Sequence, residues 1–521
     1  MKALFTIGIF QLAITIGLAQ TFQRTFGDTT LDQGKFVLPV SDGGFLILSE
    51  KRTSQNDWDI VIIKTNSSGN IIWQRTFGST GYDNANWAVE NTGGDFTVSG
   101  YSSMPNGYNK GLLFNISSSG NLNWAKNYGT PGSEAFYSGA KTSDGGYIMT
   151  GVSVLPSAAL FDVFLVRTDS SGNQLWSKYY GGGMGSLGGF SVAESPEGGF
   201  GICGYIEGSG AGLWDLLFLK TDNSGNLLNT VSYGGTGYDL GQSIVATSDS
   251  GFVIAGFSGS FGMGGADGYV IKVSKTGSLI WNKSYGNFGI DALNYCTKTI
   301  DGGFIFSGFT DNNSSSSFGV LLKTDILGNP TWQKAYGPNG NGELLCVKTT
   351  SDGGYIASGN TSSFSQGNMD VFLVRTDPTG NSWCSDVIPV LLPGIPTPIM
   401  FTPILSSGNR GSESAPAFSL LPNGFTDSTI CFSNVGLNEN TLSTSFVLSL
   451  FPNPTQNKTT LNANFEVNEF IVFDLLGKEY ARHSPSGKNW EADFSSLPTG
   501  IYLIEARGDA GSAFTKLILE K

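Results

Sequence analysis

TSDGGYIMTG at 142–151, resumed after a loop as FDVFLVRTDSSGNQLWSKYYG at 161–181, is one copy of a phrase that the chain repeats. The aromatic after its glycine pair, or after the variant of that pair, recurs at Phe45, Phe96, Tyr147, Phe200, Phe252, Phe304 and Tyr355, every 51 to 53 residues. The glycine that ends each phrase of the Trp-x-Lys-x-Tyr-Gly type keeps the same period, at Gly27, Gly78, Gly129, Gly181, Gly234, Gly286 and Gly337. Two independent marks on one period define seven copies of a structural repeat.

Within the quoted copy the pattern predicts four short strands, a to d, at 137–142, 147–152, 163–168 and 174–180. Asp144-Gly145-Gly146 turns a into b, and Asp169-Ser170-Ser171-Gly172-Asn173 turns c into d. Both place glycine or small residues where a tight hairpin needs positive φ. Strands c such as 60–64 and 371–375 are apolar up to a terminal base, as suits a strand covered on both faces. Strands a are richer in small residues, as in Ser138-Gly139-Ala140, which suits a crowded axis. The expected fold is therefore all-β, a seven-bladed β-propeller of four-stranded blades over 20–384. A linear β-solenoid is the alternative, but its repeats are usually much shorter. The chain opens with a lone strand d at 22–27, while the seventh copy has only the aborted Asn381-Ser382-Trp383. The N-terminal strand is thus expected to complete the seventh blade and close the ring, leaving no free sheet edge.

Residues 1–19 begin with Lys2, run apolar through Leu18 and end on Gly17 and Ala19, the small residues a signal peptidase prefers. They read as a secretory signal peptide, with no cysteine following and no other stretch long enough to span a bilayer as a helix. Glycine at 73 of 521 residues fits a chain of many turns. A net charge of −13 argues against nucleic acid as a partner, because phosphate neutralisation needs basic patches. Cys203, Cys296 and Cys346 fall inside strands and read as small buried apolar residues. Cys384 and Cys431 bracket a segment outside the repeats and are expected to pair in an oxidising compartment, contributing about 4 kcal/mol in the chain-entropy model. Between 385 and 446 the chain is rich in proline and apolar around 387–405, so part of this connector is expected to lie against the propeller and the rest to act as a spacer.

From 447 to 521 the pattern changes again, to alternating strands around Gly477, Gly487 and Gly500 that predict a small β-sandwich. FPNPTQNKTTLN at 451–462, FDLLGKEY at 473–480 and SSLPTGIYLIEA at 495–506 resemble the type-A C-terminal sorting domain of the type IX secretion system of Bacteroidetes, and KLILEK at 516–521 resembles its basic-ended last strand. That resemblance implies an antiparallel β-sandwich that carries its protein across the outer membrane, with the secretion machinery as a partner. The repeats are similar to the DGGY…W.K.YG propeller repeats of secreted proteins from the same bacteria, which implies architecture and no particular ligand.

The single histidine, His483, lies in this last segment, so Ser-His-Asp and Cys-His hydrolases and histidine-based zinc sites are set aside. No phosphate-binding glycine loop is present, since GGGMG at 181–185 is followed by Ser and Leu. An acid does recur five residues after most repeat-end glycines, at Asp32, Asp83, Glu134, Asp239 and Asp291. A ring would gather these at one mouth of its channel. They can accept hydrogen bonds from turn amides, bind a cation such as calcium, or supply the acid and base of a glycosidase. Near-uniform repetition favours the first, because catalysis needs two unlike carboxylates. A second recurrent acid, Asp59, Asp162, Asp215, Asp267 and Asp370, precedes strand c and reads as a loop-end acceptor.

In a ring of such blades the uniform DGG and SGN turns share one face, and the acid-bearing d-to-a connections share the other with the b-to-c loops, which differ in every copy. Variation on a constant scaffold is where specificity can be written. Trp58, Tyr108, Phe161 and Trp214 in these loops are the candidate ligand contacts, suited to stacking on sugar rings or to plugging gaps between blades. The expected function is a secreted or surface-attached, non-enzymatic binding protein for glycans or other cell-surface components. The alternatives are a polysaccharide-acting enzyme using channel-mouth carboxylates and a purely structural surface component.

Overall fold

Hairpins form where the turn glycines allow them. Gly145 adopts φ +90° and Gly172 φ +76°, and the turn Thr142–Gly146 closes with two backbone hydrogen bonds of 2.9 Å. In the computed structural model, residues 20–519 are described apart from 385–390, 435–447, a number of shorter segments and the side chains of 401–447; the 1–19 segment lies outside the described residues. In blade 3 the strands Ser133–Lys141, Tyr147–Val154, Asp162–Thr168 and Gln174–Gly181 hydrogen-bond in chain order, and the other copies repeat that order. Each strand a packs on the strand a of the next blade, and that of blade 7 (Gly342–Thr349) packs on that of blade 1 (Asp32–Pro39), so seven separate antiparallel sheets make one ring. The N-terminal strand Gln20–Gly27 pairs antiparallel with strand c of blade 7, Asp370–Thr376, placing Phe22 opposite Arg375 and Phe26 opposite Val371.

The repeated phrase is explained by what joins one blade to the next. The strand-d tyrosine hydroxyl donates to the carbonyl of the glycine in the following blade's c-to-d turn: Tyr180 to Gly225 at 2.7 Å, Tyr285 to Gly328 at 2.5 Å and Tyr336 to Gly380 at 2.6 Å, with Tyr128 and Tyr233 doing the same to Gly172 and Gly277. The tryptophan of the phrase lies on that same turn. A Cβ on Gly172 would come within 2.7 Å of Trp124, and one on Gly380 within 2.6 Å of Trp332, so the glycine is needed for close approach as well as for its φ. The base ending strand c turns back to the DGG aspartate, as Lys323 does to Asp301 at 2.8 Å; this bond and the Thr299 hydroxyl draw Asp301 down to about 2. Tyr180→Phe removes one inter-blade bond and strands a buried carbonyl, so it is expected to cost about 1–2 kcal/mol in chemical denaturation with an unchanged fold.

The proline-rich segment does not stand apart from the propeller. Its short strands run backwards round the ring, each adding a fifth strand to the outer edge of a blade. Leu392–Gly394 pairs with strand d of blade 5, Ile399–Phe401 with that of blade 4, Ser406–Asn409 with blade 3, Ser412–Ser414 with blade 2 and Ser419–Leu421 with blade 1. Thr426–Asn434 then lies against the N-terminal strand in blade 7. The compact unit accordingly runs from 19 to 433, and the described strands between 392 and 434 form a belt, so the part of the connector that lies against the propeller is extensive. A belt suits an edge-rich ring, because strand d otherwise presents unpaired amides and carbonyls. Proline tolerates such edge positions: Pro393 sits within the first of these strands, and Pro422 directly follows Ser419–Leu421. Among the described residues, the blade 6 sheet alone keeps four strands.

Cys203, Cys296 and Cys346 are buried free thiols, and burial pushes Cys346 up to about 11. Cys384 is disulfide-bonded, while the side chain of Cys431 lies outside the described residues.

The C-terminal unit is a two-sheet sandwich. One sheet has the order Leu448–Phe451, Lys458–Val467, Gly487–Asp493, and the other Glu479–His483, Glu469–Asp474, Gly500–Gly508, Gly511–Leu519. Leu461, Val467, Val472, Phe494, Ile504 and Leu517 from both sheets form its core.

Candidate functional site

The recurrent acids are not open at a channel mouth. Asp32, Asp83 and Asp239 are 0% exposed, and Glu134 and Asp291 1%. Four of them accept the amide of the residue four positions earlier, Asp32 from Asp28 at 2.9 Å, Asp83 from Ser79 at 2.7 Å, Asp239 from Gly235 and Asp291 from Asn287, both at 2.8 Å. Glu134 accepts the Thr130 hydroxyl and an ion pair from Lys110 at 2.7 Å. Each acid thus anchors its own d-to-a turn, and among the described residues no three acidic, histidine or cysteine side chains converge as a metal centre. The acids before strand c meet them at the repeat-end glycine. A Cβ on Gly234 would stand 2.0 Å from Asp215 Oδ1 and 2.8 Å from Asp239 Oδ2, and one on Gly27 2.4 Å from Asp370 Oδ1 and 3.0 Å from Asp32 Oδ2. At these two glycines a pair of carboxylates occupies the space a side chain would need, and at Gly78, Gly181 and Gly286 a single one does, from Asp59, Asp162 and Asp267. Burial, with the neighbouring Asp239 adding to it, pushes Asp215 up to about 6.

On the same face, the loop aromatics brace neighbouring blades. Trp58 is half-buried, its backbone bridges Tyr82 of the next connection, and its amide donates to Gly81 at 2.8 Å. Trp214 bridges Tyr238 in the same way. Tyr108 and Phe161 are 36% and 39% exposed. Tyr82, Tyr238, Phe288 and Ile290, in the d-to-a connections, are more exposed still, between 45% and 71%, and nothing in the repeat pattern singles them out.

The channel holds a second set of residues that the repeat count does not reveal. Every strand a carries a β-bulge, and the extra residue is Lys35, Asn86, Tyr137, Phe190, Gln242, Asn294 and Leu345 in blades 1 to 7. A bulge re-aims the inserted side chain out of the pleat. Here all seven line one cavity of about 330 Å³ on the axis. The scaffold is uniform and the seven side chains are nearly all different. From this cavity a chain of aromatic contacts leads to the loop face: Tyr137 to Phe190 at 5.7 Å between ring centroids, Phe190 to Tyr205 at 5.5 Å, Tyr205 stacked on Trp214 at 4.7 Å, and Trp214 edge-on to Tyr238 at 5.3 Å. Lys35, the one base of the cavity, is paired to Glu50 at 2.8 Å.

Compared with known proteins, residues 449–520 match the family described as the secretion system C-terminal sorting domain. The C-terminal sandwich is a secretion sorting domain. It marks the protein for the type IX machinery and hence for the cell surface or release, and no helix of the described residues is long and apolar enough to cross a membrane. No curated protein matches the chain by sequence. Among solved structures, it is similar to PorZ, described as an essential bacterial surface component of the type-IX secretion system of Porphyromonas gingivalis, at 10% identity over 94% of this chain and 51% of that one, with a TM-score of 0.28. It spans about half the length of that protein. A protein of unknown function from Dyadobacter fermentans matches at 10% identity over 69% of this chain and 98% of its own (TM-score 0.35), and Sqt1 from Chaetomium thermophilum at 13% over 68% and 99% (TM-score 0.34). Likenesses this loose carry no argument about function.

Proposed function

We propose that this chain is an exported, non-enzymatic binding protein whose propeller engages glycans or other cell-surface components, with residues 1–19 as its leader and the sorting domain as its exit signal. The aromatic track from the axial cavity to the loop face carries this reading, since Tyr137 at one end and Tyr238 at the other are exposed and offer apolar ring surface to sugars, with the buried Tyr205 holding the track together between them. The exposed aromatics around Trp58 and Trp214 extend that surface, with Tyr108 and Phe161 beside them. A glycosidase would need accessible carboxylates, whereas the recurrent acids are at most 1% exposed, which weighs against that alternative. The test is a polysaccharide and oligosaccharide array with the purified protein, followed by titration of any hit through tryptophan fluorescence. Saturable binding without turnover is expected, weakened about tenfold, or 1.4 kcal/mol, by Tyr137→Ala or Trp214→Ala. Turnover of a polysaccharide, or binding that survives both changes, overturns the reading.

A further inference from the structure

The junctions between blades solve one electrostatic problem in different ways. At most of them a strand-c side chain stands near the acid of the following d-to-a turn, beside the repeat-end glycine; Ser186 replaces that acid between blades 3 and 4, and Phe318 takes the strand-c position in blade 6. Between blades 2 and 3 the strand-c side chain is Lys110, standing where five of the other six copies have Asp59, Asp162, Asp215, Asp267 or Asp370. Its ammonium donates to Glu134 Oε2 at 2.7 Å and to the carbonyls of Thr130 and Gly132, with Glu134 fully buried. A cation ringed by one carboxylate and two backbone carbonyls is thus built into the protein at this point.

In every other blade but the sixth the strand-c position is itself an acid, and in blades 4 and 5 loop amides partly offset the added charge. Asp267 accepts the Met263 amide at 3.0 Å and the Gly264 amide at 3.4 Å. The amides of Gly212 and Ala211 face Asp215, although they make no well-formed hydrogen bond to either carboxylate oxygen. Between blades 1 and 2 the loop brings nothing of the kind. The strands Phe45–Ser54 and Asp57–Thr65 extend almost to the turn, and the loop contributes a third acid, Asp57, whose Oδ1 accepts the Gly81 amide at 2.8 Å. Asp59 is 4% exposed and its Oδ1 has no hydrogen-bond partner, while Asp83, 0% exposed, has the Ser102 hydroxyl beside it. Asp83 Oδ2 takes the Ser79 amide and hydroxyl at 2.7 and 3.0 Å. Lys51, the base that faces Asp59, is paired with Asp28 of the preceding turn. Burial, with Asp57 and Asp83 adding repulsion, pushes Asp59 up to about 7. An orphaned, buried carboxylate oxygen is costly, and beside a second buried acid it defines a place for positive charge.

We propose that the junction of blades 1 and 2 binds a hard divalent cation of the calcium class between Asp59 and Asp83, in the place that the Lys110 ammonium takes one junction further on. The carbonyls of Ser79 and Gly81 correspond in sequence to those of Thr130 and Gly132 and are the further oxygen donors, with water completing the shell. An all-oxygen donor set suits calcium, which accepts carbonyls and waters in irregular geometry, better than magnesium or zinc. With two carboxylates the affinity belongs to the range of extracellular modules, about 10⁻⁴–10⁻³ M.

The test uses the full chain, with calorimetric titration and thermal unfolding in EDTA and in about 5 mM calcium chloride. Calcium is expected to raise the midpoint by a few degrees, because a ligand of the folded state alone stabilises it. Asp59→Asn and Asp83→Asn, which keep size and shape, should each abolish that response. The double variant Asp59→Lys with Asp83→Glu copies the neighbouring junction and should reach the calcium-bound midpoint in EDTA. Terbium luminescence sensitised by Trp58, the residue that precedes Asp59 in the same strand, gives a second readout if a variant folds poorly, and calcium should displace it. A wild-type protein indifferent to millimolar calcium overturns the proposal, as does a full calcium response that survives Asp59→Asn.

Discussion

Removal of residues 449–521 is expected to abolish the appearance of the protein at the cell surface and in the medium while leaving its propeller folded. The sorting domain has its own core, in which Leu461, Val467, Val472, Ile504 and Leu517 are fully buried, and the propeller with its belt closes as a separate unit ending at 433. Loss of the domain therefore removes an export signal without opening a propeller edge. Val472→Asp should have the same effect on export, because an unpaired charge in the sandwich core costs several kcal/mol and a small domain has little to spare. Fractionation of cells with a quantitative immunoblot measures both, and a fall of more than about tenfold in the surface and released pools is expected. Normal display of either variant would refute the role given to 449–520.

The repeat architecture was legible because each blade is made by local signals. Turn glycines, a terminal base and the strand-d tyrosine mark every copy or nearly so, and each has a partner within its blade or the next. The belt was not, for a physical reason: its strands are three or four residues long and act through backbone hydrogen bonds to edges already built, so no side-chain alternation records them. A signal was present in the step of six or seven residues from Leu392 to Ile399, Ser406, Ser412, Ser419 and Thr426, which matches one blade per step. Seven extended residues reach at most about 25 Å, enough to pass from one blade edge to the next. The bulge residues were hidden because one inserted residue leaves the repeat period intact while turning a side chain towards the axis. The acids were found by their spacing, but their burial depends on the turn that folds over them, and their meaning depends on the contrast between Lys110 and its aspartate counterparts, which only the junction geometry brings out.

Deleting residues 20–27 is expected to destroy cooperative folding of the whole ring, a larger effect than exposure of one sheet edge. This strand is internal to its sheet, with strand c of blade 7 on one side and Thr426–Asn434 on the other, so its loss turns strand c into a free edge and detaches Thr426–Asn434 from the blade. It also carries the blade 7 version of the repeated phrase. Phe22 stands where other copies have tryptophan, Arg24 where they have the base and Phe26 where they have tyrosine. Phe22 and Phe26 are 0% exposed, and Phe22 meets Phe45 of blade 1 edge-on at 6.3 Å. Arg24 donates to Asn70 of blade 1 at 2.8 Å, and Gln23 to Ser382 at 2.8 Å, so one strand ties blade 7 to blade 1 and to the end of the repeats. Phe26→Ala alone should cost about 3–5 kcal/mol, a large share of the roughly 5–15 kcal/mol by which a folded domain is held. Removal of the strand takes both phenylalanines and the backbone pairing on both sides together, and aggregation through the freed edges should follow. Thermal unfolding with light scattering measures this: the shortened protein should lose its sharp transition and its monomeric state. A monomer as heat-resistant as the parent would mean that another segment supplies the outer strand of blade 7.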